Sequence, residues 1–380
     1  MKVPSTAASA DTRHVVGTMT GTSIDGDLDA ALVSITGRGL DMRARLVRGR
    51  STPLGALADD LRRAASGTPL AAAEFARIAR EFGDAHANAI DALCTEVGIR
   101  PDLSVLHGQT IFHAPPLSWQ LIDPWPVVTR VGCRVRYDLR NANLASGGQG
   151  APITPLADFV LFADDIRPKS ILNLGGFANA TMLPPRRDGV GAIAGLDLCP
   201  CNHLLDRVAR TRLARPFDDH GRAARSGTPN ASLVDRIASA LLASTRGAPR
   251  APQRSLGTGD EALESVDATA NLSPADACAT VVEALASALA QRLREVGHGA
   301  GVPIIVAGGS ARHAVLRERL AIRTESPVET SETHASIPVE SREAAGMAVL
   351  GALADDGVRY TLPQVVGALS HALDSALVTP

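Results

Sequence analysis

Three turns, two of them glycine-bearing and each closing an apolar, strand-like run, constrain this chain more than any other feature. They are Gly17–Gly26 after His14–Met19, Asp197–Asn202 after Ala192–Asp197, and Gly308–Ser310 after Pro303–Ala307. Strand ends with small residues let backbone N–H groups approach phosphate oxygens, and a following helix adds its positive end. One such turn means little, because glycine marks ordinary turns too. Three of them, spread over both halves of one chain, point to a nucleotide held by backbone. None ends in the Gly-Lys-Ser/Thr of a P-loop, which disfavours that fold.

The elements between the turns alternate. His14–Met19 and Asp29–Thr36 flank Thr20–Gly26 and predict a hairpin. Apolar spacing predicts helices over Pro53–Ser66, Ala71–Val97, Pro124–Val131, Ile153–Phe162, Asn202–Arg212, Ser273–Val296 and Ser341–Leu353, and another from near Arg312. Ser273 with Pro274 suits a helix start. Strands are expected at Ser104–Leu106, near Cys133–Tyr137, and at Ser170–Leu174, while Ser146–Pro152 and Ser244–Gly259 carry loop chemistry. No short-period repeat is visible. Strands interleaved with helices give an α/β chain of two lobes.

Length agrees, since 380 residues suit about two domains. Net charge is −2, from 38 basic and 40 acidic residues, and aromatics make up 3%. That leaves neither the basic stripe nor the stacking surfaces nucleic acid requires. Cys94, Cys133, Cys199, Cys201 and Cys278 are an odd, scattered set, which argues for reduced thiols. The first twelve residues, small and polar, are expected to be a disordered tail rather than a signal peptide. No run of about twenty apolar residues occurs, so no membrane span is expected and the cytoplasm is the expected compartment.

Six ordered blocks then become specific. Gly17-Thr18-Met19-Thr20-Gly21-Thr22-Ser23-Ile24-Asp25-Gly26 resembles the first phosphate hairpin of the 1,6-anhydro-N-acetylmuramic acid kinases. His107-Gly108-Gln109-Thr110, Trp119-Gln120-Leu121-Ile122-Asp123 and Gly147-Gly148-Gln149-Gly150-Ala151-Pro152 are similar to later blocks of that family. So are Leu172-Asn173-Leu174-Gly175-Gly176-Phe177-Ala178-Asn179 and Val306-Ala307-Gly308-Gly309, with Glu343 where the family has an acidic residue on a late helix.

The resemblance implies a two-lobed actin-like ATPase (ribonuclease H-like) fold with a central nucleotide cleft. The lobes would be 1–125 plus about 354–380, and 126–353. It implies ATP and Mg2+ as cofactors, an anhydro sugar as substrate, and a homodimer. A carboxylate would take a proton from water, water would attack the anomeric carbon, and the freed oxygen would take the γ-phosphoryl group. By the match Asp197 is that base; taken alone, it would also serve as a helix cap. Gly17, Thr20, Gly21, Thr22, Ser23, Asp25, Gly26, Asn202, Gly308 and Gly309 fall on the nucleotide side. Asp25 is the magnesium candidate, or an ordinary turn carboxylate. His107, Gln109, Asp123, Gln149, Asn179 and Glu343 are candidate sugar contacts. A satisfied buried imidazole at His107 and solvated carboxylates at Asp123 and Glu343 are the plain alternatives.

Several departures fall on these motifs. The family's Asp-Thr-Gly-Pro-Gly-Asn stands here as Asp197-Leu198-Cys199-Pro200-Cys201-Asn202, which would put side chains where backbone approaches phosphate. Asn143 takes the acidic place in Arg-x-x-Asp, His313 replaces an Asn, and Ser255–Gly259 lacks the family's charged pair. These changes leave open another 1,6-anhydro sugar such as levoglucosan, or a nucleotide-binding homologue without turnover. Cys199, Cys201 and His203 lack the fourth ligand a zinc site commonly needs.

Overall fold

The structure, a computed structural model, describes residues 12–21, 24, 26–243, 264–368 and 374–380. Strands β1 (Thr12–Met19), β2 (Asp27–Thr36) and β3 (Arg43–Pro53) form an antiparallel meander. β4 (Leu103–Leu106) then pairs parallel with β1. β5 (Gln109–Ala114) and β6 (Leu117–Leu121) make a separate two-stranded sheet, and β7 (Arg134–Tyr137) pairs parallel with β4. The pattern then repeats. β8 (Lys169–Leu174), β9 (Phe177–Leu183) and β10 (Ala194–Pro200) meander, and β11 (Ile304–Ala307) and β12 (Val328–Thr330) add in parallel. β13 (Ala376–Val378) closes the edge beyond β7.

The resulting orders are β13-β7-β4-β1-β2-β3 and β10-β9-β8-β11-β12. Setting β13 aside, both sheets have their third, second, first, fourth and fifth strands side by side. That duplication, a meander followed by parallel crossovers, is the two-lobed α/β architecture the motifs called for. β7 extends the first sheet to Tyr137, past the expected boundary at 125, because its backbone takes the β4 edge.

The helix Ser341–Asp355 fills the space between the sheets. Its residues are small and apolar nearly all round, as a fully buried helix requires. It packs on β1, β2 and β4 and on the helix Pro155–Phe162, so its start lies with the first sheet rather than in the second lobe as 126–353 had it. One continuous core joins Val15 and Val105 of the first sheet, Met347, Val349 and Leu353 of this helix, and Ile171 and Ile305 of the second sheet. Each large side chain buried there contributes about 1.5–3 kcal/mol. Arg342 and Asp158, both buried, pair within it, with Thr181 donating to the same carboxylate.

Several expected bounds shift. The helix expected from Pro53 begins at Ala56, because β3 runs through Pro53. The helix from Asn202 is regular only to Val208 and then widens over Ala209–Leu213. Residues 244–263, which include the expected Ser244–Gly259 loop, and residues 1–11 of the expected twelve-residue tail lie outside the described residues, while its last residue, Thr12, instead opens β1.

Candidate active site

Register sets the mouth of the second sheet. Asp197 pairs with Asn179, Asn179 with Asn173, and Asn173 with Ala307. Residues in register share a face of a sheet, so the Asp197, Asn179 and Asn173 side chains stand in one row. A bulge follows Asp197, and the next helix takes Cys201, not Asp197, as its cap position. The helix-cap alternative for Asp197 therefore does not apply.

Glu343 comes to this row from the other side. It lies in the first turn of the Ser341–Asp355 helix, and its Oε1 accepts from Asn173 Nδ2 at 3.3 Å. Asn173 Oδ1 is buried with no partner among the described residues. Arg140, just beyond β7, completes the cluster within electrostatic reach of Glu343 and Asp197. Burial pulls its guanidinium down to about 10, against the opposing pull of Tyr360, Glu343 and Asp197, so it stays charged at neutral pH.

Sequence reasoning did not single out Arg140. Its only signal was its place as the Arg of the Arg-x-x-Asp spacing whose acidic position Asn143 takes. His107 orients it: Nδ1 donates to Gly108 O (2.8 Å), and Nε2 accepts from Arg140 Nε (3.1 Å) and Nη2 (2.8 Å). Burial, then Arg140, pushes the His107 imidazole down to about 3, so it is a neutral acceptor. Both ring nitrogens are used, which makes His107 the satisfied imidazole of the alternative reading and a positioner of Arg140.

Arg140 Nη1 also donates to Gly150 O (2.8 Å), while Gly150 N donates to Asn143 Oδ1 (2.8 Å) and Asn143 Nδ2 to Ala368 O (2.9 Å). Asn143 is fully buried and uses both its donor and its acceptor here. The Gln149 N–H donates to Val366 O (2.8 Å), and Tyr360 Oη donates to Asp374 O (2.6 Å), with Leu139 O at 3.2 Å as the alternative acceptor. The Gly-rich loop and Arg140 are thus strapped in place by the last segment of the chain.

On the nucleotide side, Thr20, Gly21 and Gly26 are described, whereas Thr22, Ser23 and Asp25 lie outside the described residues. Thr20 Oγ1 donates to Gln109 Oε1 (2.7 Å), so Gln109 is buried in tying the turn to β5. Arg62 Nε and Nη2 grip Ile24 O at 3.0 and 2.7 Å. Gly17 is elsewhere: it sits within β1, where a Cβ would lie 2.0 Å from Ala344 O and 2.4 Å from Ala348 N. The absence of a side chain there lets the Ser341–Asp355 helix touch the strand. Asp123 accepts from the Trp125 N–H (3.0 Å) at the head of the helix Trp125–Val131 and faces Arg80 at 3.9 Å.

Asn202 and Gly308–Gly309 converge. Asn202 pairs with Ser310 Oγ, and its amide nitrogen reaches Leu174 O (2.9 Å) and Gly175 O (3.1 Å). Gly308 has φ +83°, and a Cβ there would meet Asn173 Oδ1 and the Leu174 carbonyl at 2.8 Å. His313 replaces its Asn without loss of capping, because Nδ1 accepts from the Leu316 N–H at 3.2 Å.

The two cysteines between Asp197 and Asn202 are both buried. Both thiols are buried in the core of the second lobe, and burial pushes Cys199 up to about 12. The expectation that they would occupy the place of approaching phosphate is corrected for Cys199, which the strand directs into the core; Cys201 lies beyond the strand at the helix cap, and its buried thiol hydrogen-bonds Ser310 of the Gly308–Ser310 turn. Among the described residues no group of three or more His, Cys, Asp or Glu is placed to hold a metal ion. No helix among them is long and apolar enough to cross a membrane.

Much of the chain is matched by known proteins. The profile of the family described as anhydro-N-acetylmuramic acid kinase matches residues 13–379. The anhydro-N-acetylmuramic acid kinase of Synechococcus sp. (strain CC9605) is 32% identical over 97% of this chain and 100% of its own. That of Xanthomonas campestris pv. campestris (strain 8004) is 34% identical over 95% of this chain and 96% of its own. Among solved structures, component A of the Acidaminococcus fermentans (R)-2-hydroxyglutaryl-CoA dehydratase is 12% identical. It covers 91% of this chain and 99% of its own, at a TM-score of 0.49.

Proposed function

Because the chain belongs to the anhydro-N-acetylmuramic acid kinase family, we propose that it opens 1,6-anhydro-N-acetylmuramic acid with water and phosphorylates the six-position, giving N-acetylmuramic acid 6-phosphate. As a member of that family it is an ATP-dependent sugar kinase. The observation that carries the substrate reading is the meeting of Asp197 and Asn173 of the second sheet with Glu343 of the Ser341–Asp355 helix, beside Arg140 in the loop after β7.

On this reading Asp197 accepts a proton from water as the water oxygen bonds to C1. The C1–O bond of the bridge breaks, and the freed 6-oxygen takes the γ-phosphoryl group as ADP leaves. Arg140 favours the ionised form of Asp197, as an opposite charge nearby must. Asn173 and Glu343 orient the sugar. Thr20, Gly21, Gly26, Asn202, Gly308 and Gly309 cradle the nucleotide, and lobe closure keeps bulk water from the phosphoryl group.

Magnesium takes most of its ligands from water and phosphate and needs only one or two protein carboxylates. Asp197 and Glu343 supply hard oxygen donors of the right kind, and Asp25, the sequence candidate, lies outside the described residues. Bound there, the ion would offset the charge on the phosphates.

Two lobes built on the two sheets, a homodimer, cytoplasmic residence and service in recovering cell-wall sugar complete the proposal. The non-catalytic alternative rested on the Cys-Pro-Cys loop, whose thiols are both buried, Cys201 against Ser310. The test is mass spectrometry of products from protein, ATP, magnesium and the anhydro sugar in heavy-oxygen water. A six-phosphate with heavy oxygen on C1 is expected, and Asp197→Asn should abolish it while ATP binding persists. ATP bound by the wild type with no phosphorylated sugar would overturn the reading.

A further inference from the structure

Away from the Asp197–Glu343 row, one surface carries buried polar atoms that nothing in the proposed chemistry uses. β5 and β6 stand apart as a hairpin, and a bulge at Ile111 resets their alternation. Thr110 and His113 therefore share a face with Gln120 and Ser118, while Phe112 and Trp119 point the opposite way, with Trp119 against Phe75 at 5.0 Å between ring centres.

The hydrogen bonds on the inner face fix its polarity. Ser118 Oγ donates to Phe112 O (3.2 Å), so it receives Gln120 Nε2 (2.7 Å) and His113 Nδ1 (2.9 Å). His113 Nε2 is then a bare lone pair. Gln120 spends its amide nitrogen on Ser118 and, at 3.4 Å, on Thr110 Oγ1, which leaves Oε1 bare as well. Both acceptor atoms are buried without a partner among the described residues, and Gln120 as a whole is only 9% exposed. Leaving such atoms unpaired is costly unless a ligand completes them. The face adjoins the cleft: Gln120 Cβ is 3.2 Å from where a Cβ on Gly108 would lie, beside His107, and Arg140 acts electrostatically on His113.

We propose that this face is the subsite that reads the sugar, with His113 Nε2 and Gln120 Oε1 accepting hydrogen bonds from two neutral donors on one side of the 1,6-anhydro ring. The inference rests on the anhydro-sugar reading above and adds a recognition element to it. The anhydro bridge consumes O1 and O6, and the lactyl ether consumes O3. The sugar is left with two neutral donors, the 4-hydroxyl and the acetamido N–H on C2. The bicyclic ring holds both substituents axial on the same side. Two fixed acceptors thus meet two fixed donors, while the lactyl carboxylate, itself an acceptor, finds no complement on this face.

The test is steady-state kinetics of Gln120→Leu, His113→Phe and His113→Gln, with 1,6-anhydro-N-acetylmuramic acid and its 4-O-methyl derivative. Each of the first two should raise the KM for the parent sugar about tenfold, as the loss of one buried hydrogen bond does, with the KM for ATP unchanged. His113→Gln restores an acceptor and should recover most of the loss. On the methylated sugar, one of the two disruptive variants should cost nothing further, because its partner hydrogen is gone. Unchanged sugar KM in all variants, or equal losses on both sugars, overturns the subsite while the proposed activity stands. A wild type that turns over no anhydro sugar overturns both. Should Gln120→Leu fail to fold, the His113 pair decides alone.

Discussion

Gly17 separates two readings of the first turn by a single methyl group. The motif assigns it to the nucleotide, whereas the packing assigns it to the contact between β1 and the Ser341–Asp355 helix. In Gly17→Ala the new Cβ would lie 2.0 Å from Ala344 O and 2.4 Å from Ala348 N. Both atoms are helix backbone and cannot rotate away. A carbon and a carbonyl oxygen settle at about 3.3 Å, so the helix must retreat by about 1.3 Å. Overpacking on that scale costs about 3 kcal/mol. With an unfolding entropy of about 2.1 cal/mol/K per residue, a chain this long should lose about 4 °C in Tm.

The same retreat displaces Glu343 relative to Asn173, whose bond is already 3.3 Å long. Scanning calorimetry and separate KM values for sugar and ATP would check this. The expected result is a lower Tm, a raised sugar KM and a near-normal ATP KM. Unchanged stability with a raised ATP KM would refute the packing argument and return Gly17 to the phosphates.

Two further outcomes follow from buried polar groups. Asn143→Asp, which restores the family's acidic spacing, should destabilise the protein by about 2 kcal/mol, because a carboxylate cannot donate to Ala368 O; a denaturant midpoint equal to the wild type's would contradict this. His86 and His107 are both held near 3 by burial, against 6.5 when unfolded. Between those values the unfolded chain binds more protons, so the stability they contribute is present above about pH 6.5 and is lost as pH falls towards 3. Urea midpoints should therefore drop between about pH 7 and 5, and flat midpoints would show that these imidazoles are not buried neutral.

Much of the scaffold was legible because its signals are local. Apolar spacing marked the Ser273–Val296 and Ser341–Leu353 helices, and glycine turns marked the ends of β1 and β11. β3 escaped because it is an edge strand whose exposed face carries Arg43, Arg45, Arg48 and Arg50, which masks its pairing. The duplication of the two sheets was invisible as sequence repetition, since strand order is not written in residue identity. In the site, Asp197, Asn179 and Glu343 were named from motif position, and their meeting depends on cross-strand register. Arg140 was missed because its significance comes from partners far along the chain. Asn143, taken from the sequence as a defect, proves to be a residue whose amide satisfies two backbone groups at once.

The first sheet is assembled from distant stretches of chain. β1 to β7 end at Tyr137, its covering helix starts at Ser341, and β13 joins only at Ala376, with the whole second sheet in between. On a ribosome, residues 12–137 therefore emerge long before the helix that must cover β1 and β4. The second lobe has its own sheet and its own Pro274–Glu295 helix, so it can reach a native core while the earlier-made lobe still waits with an open apolar face. The order of synthesis is thus the reverse of the order of completion, and the nascent first lobe is where chaperones have the most to shield.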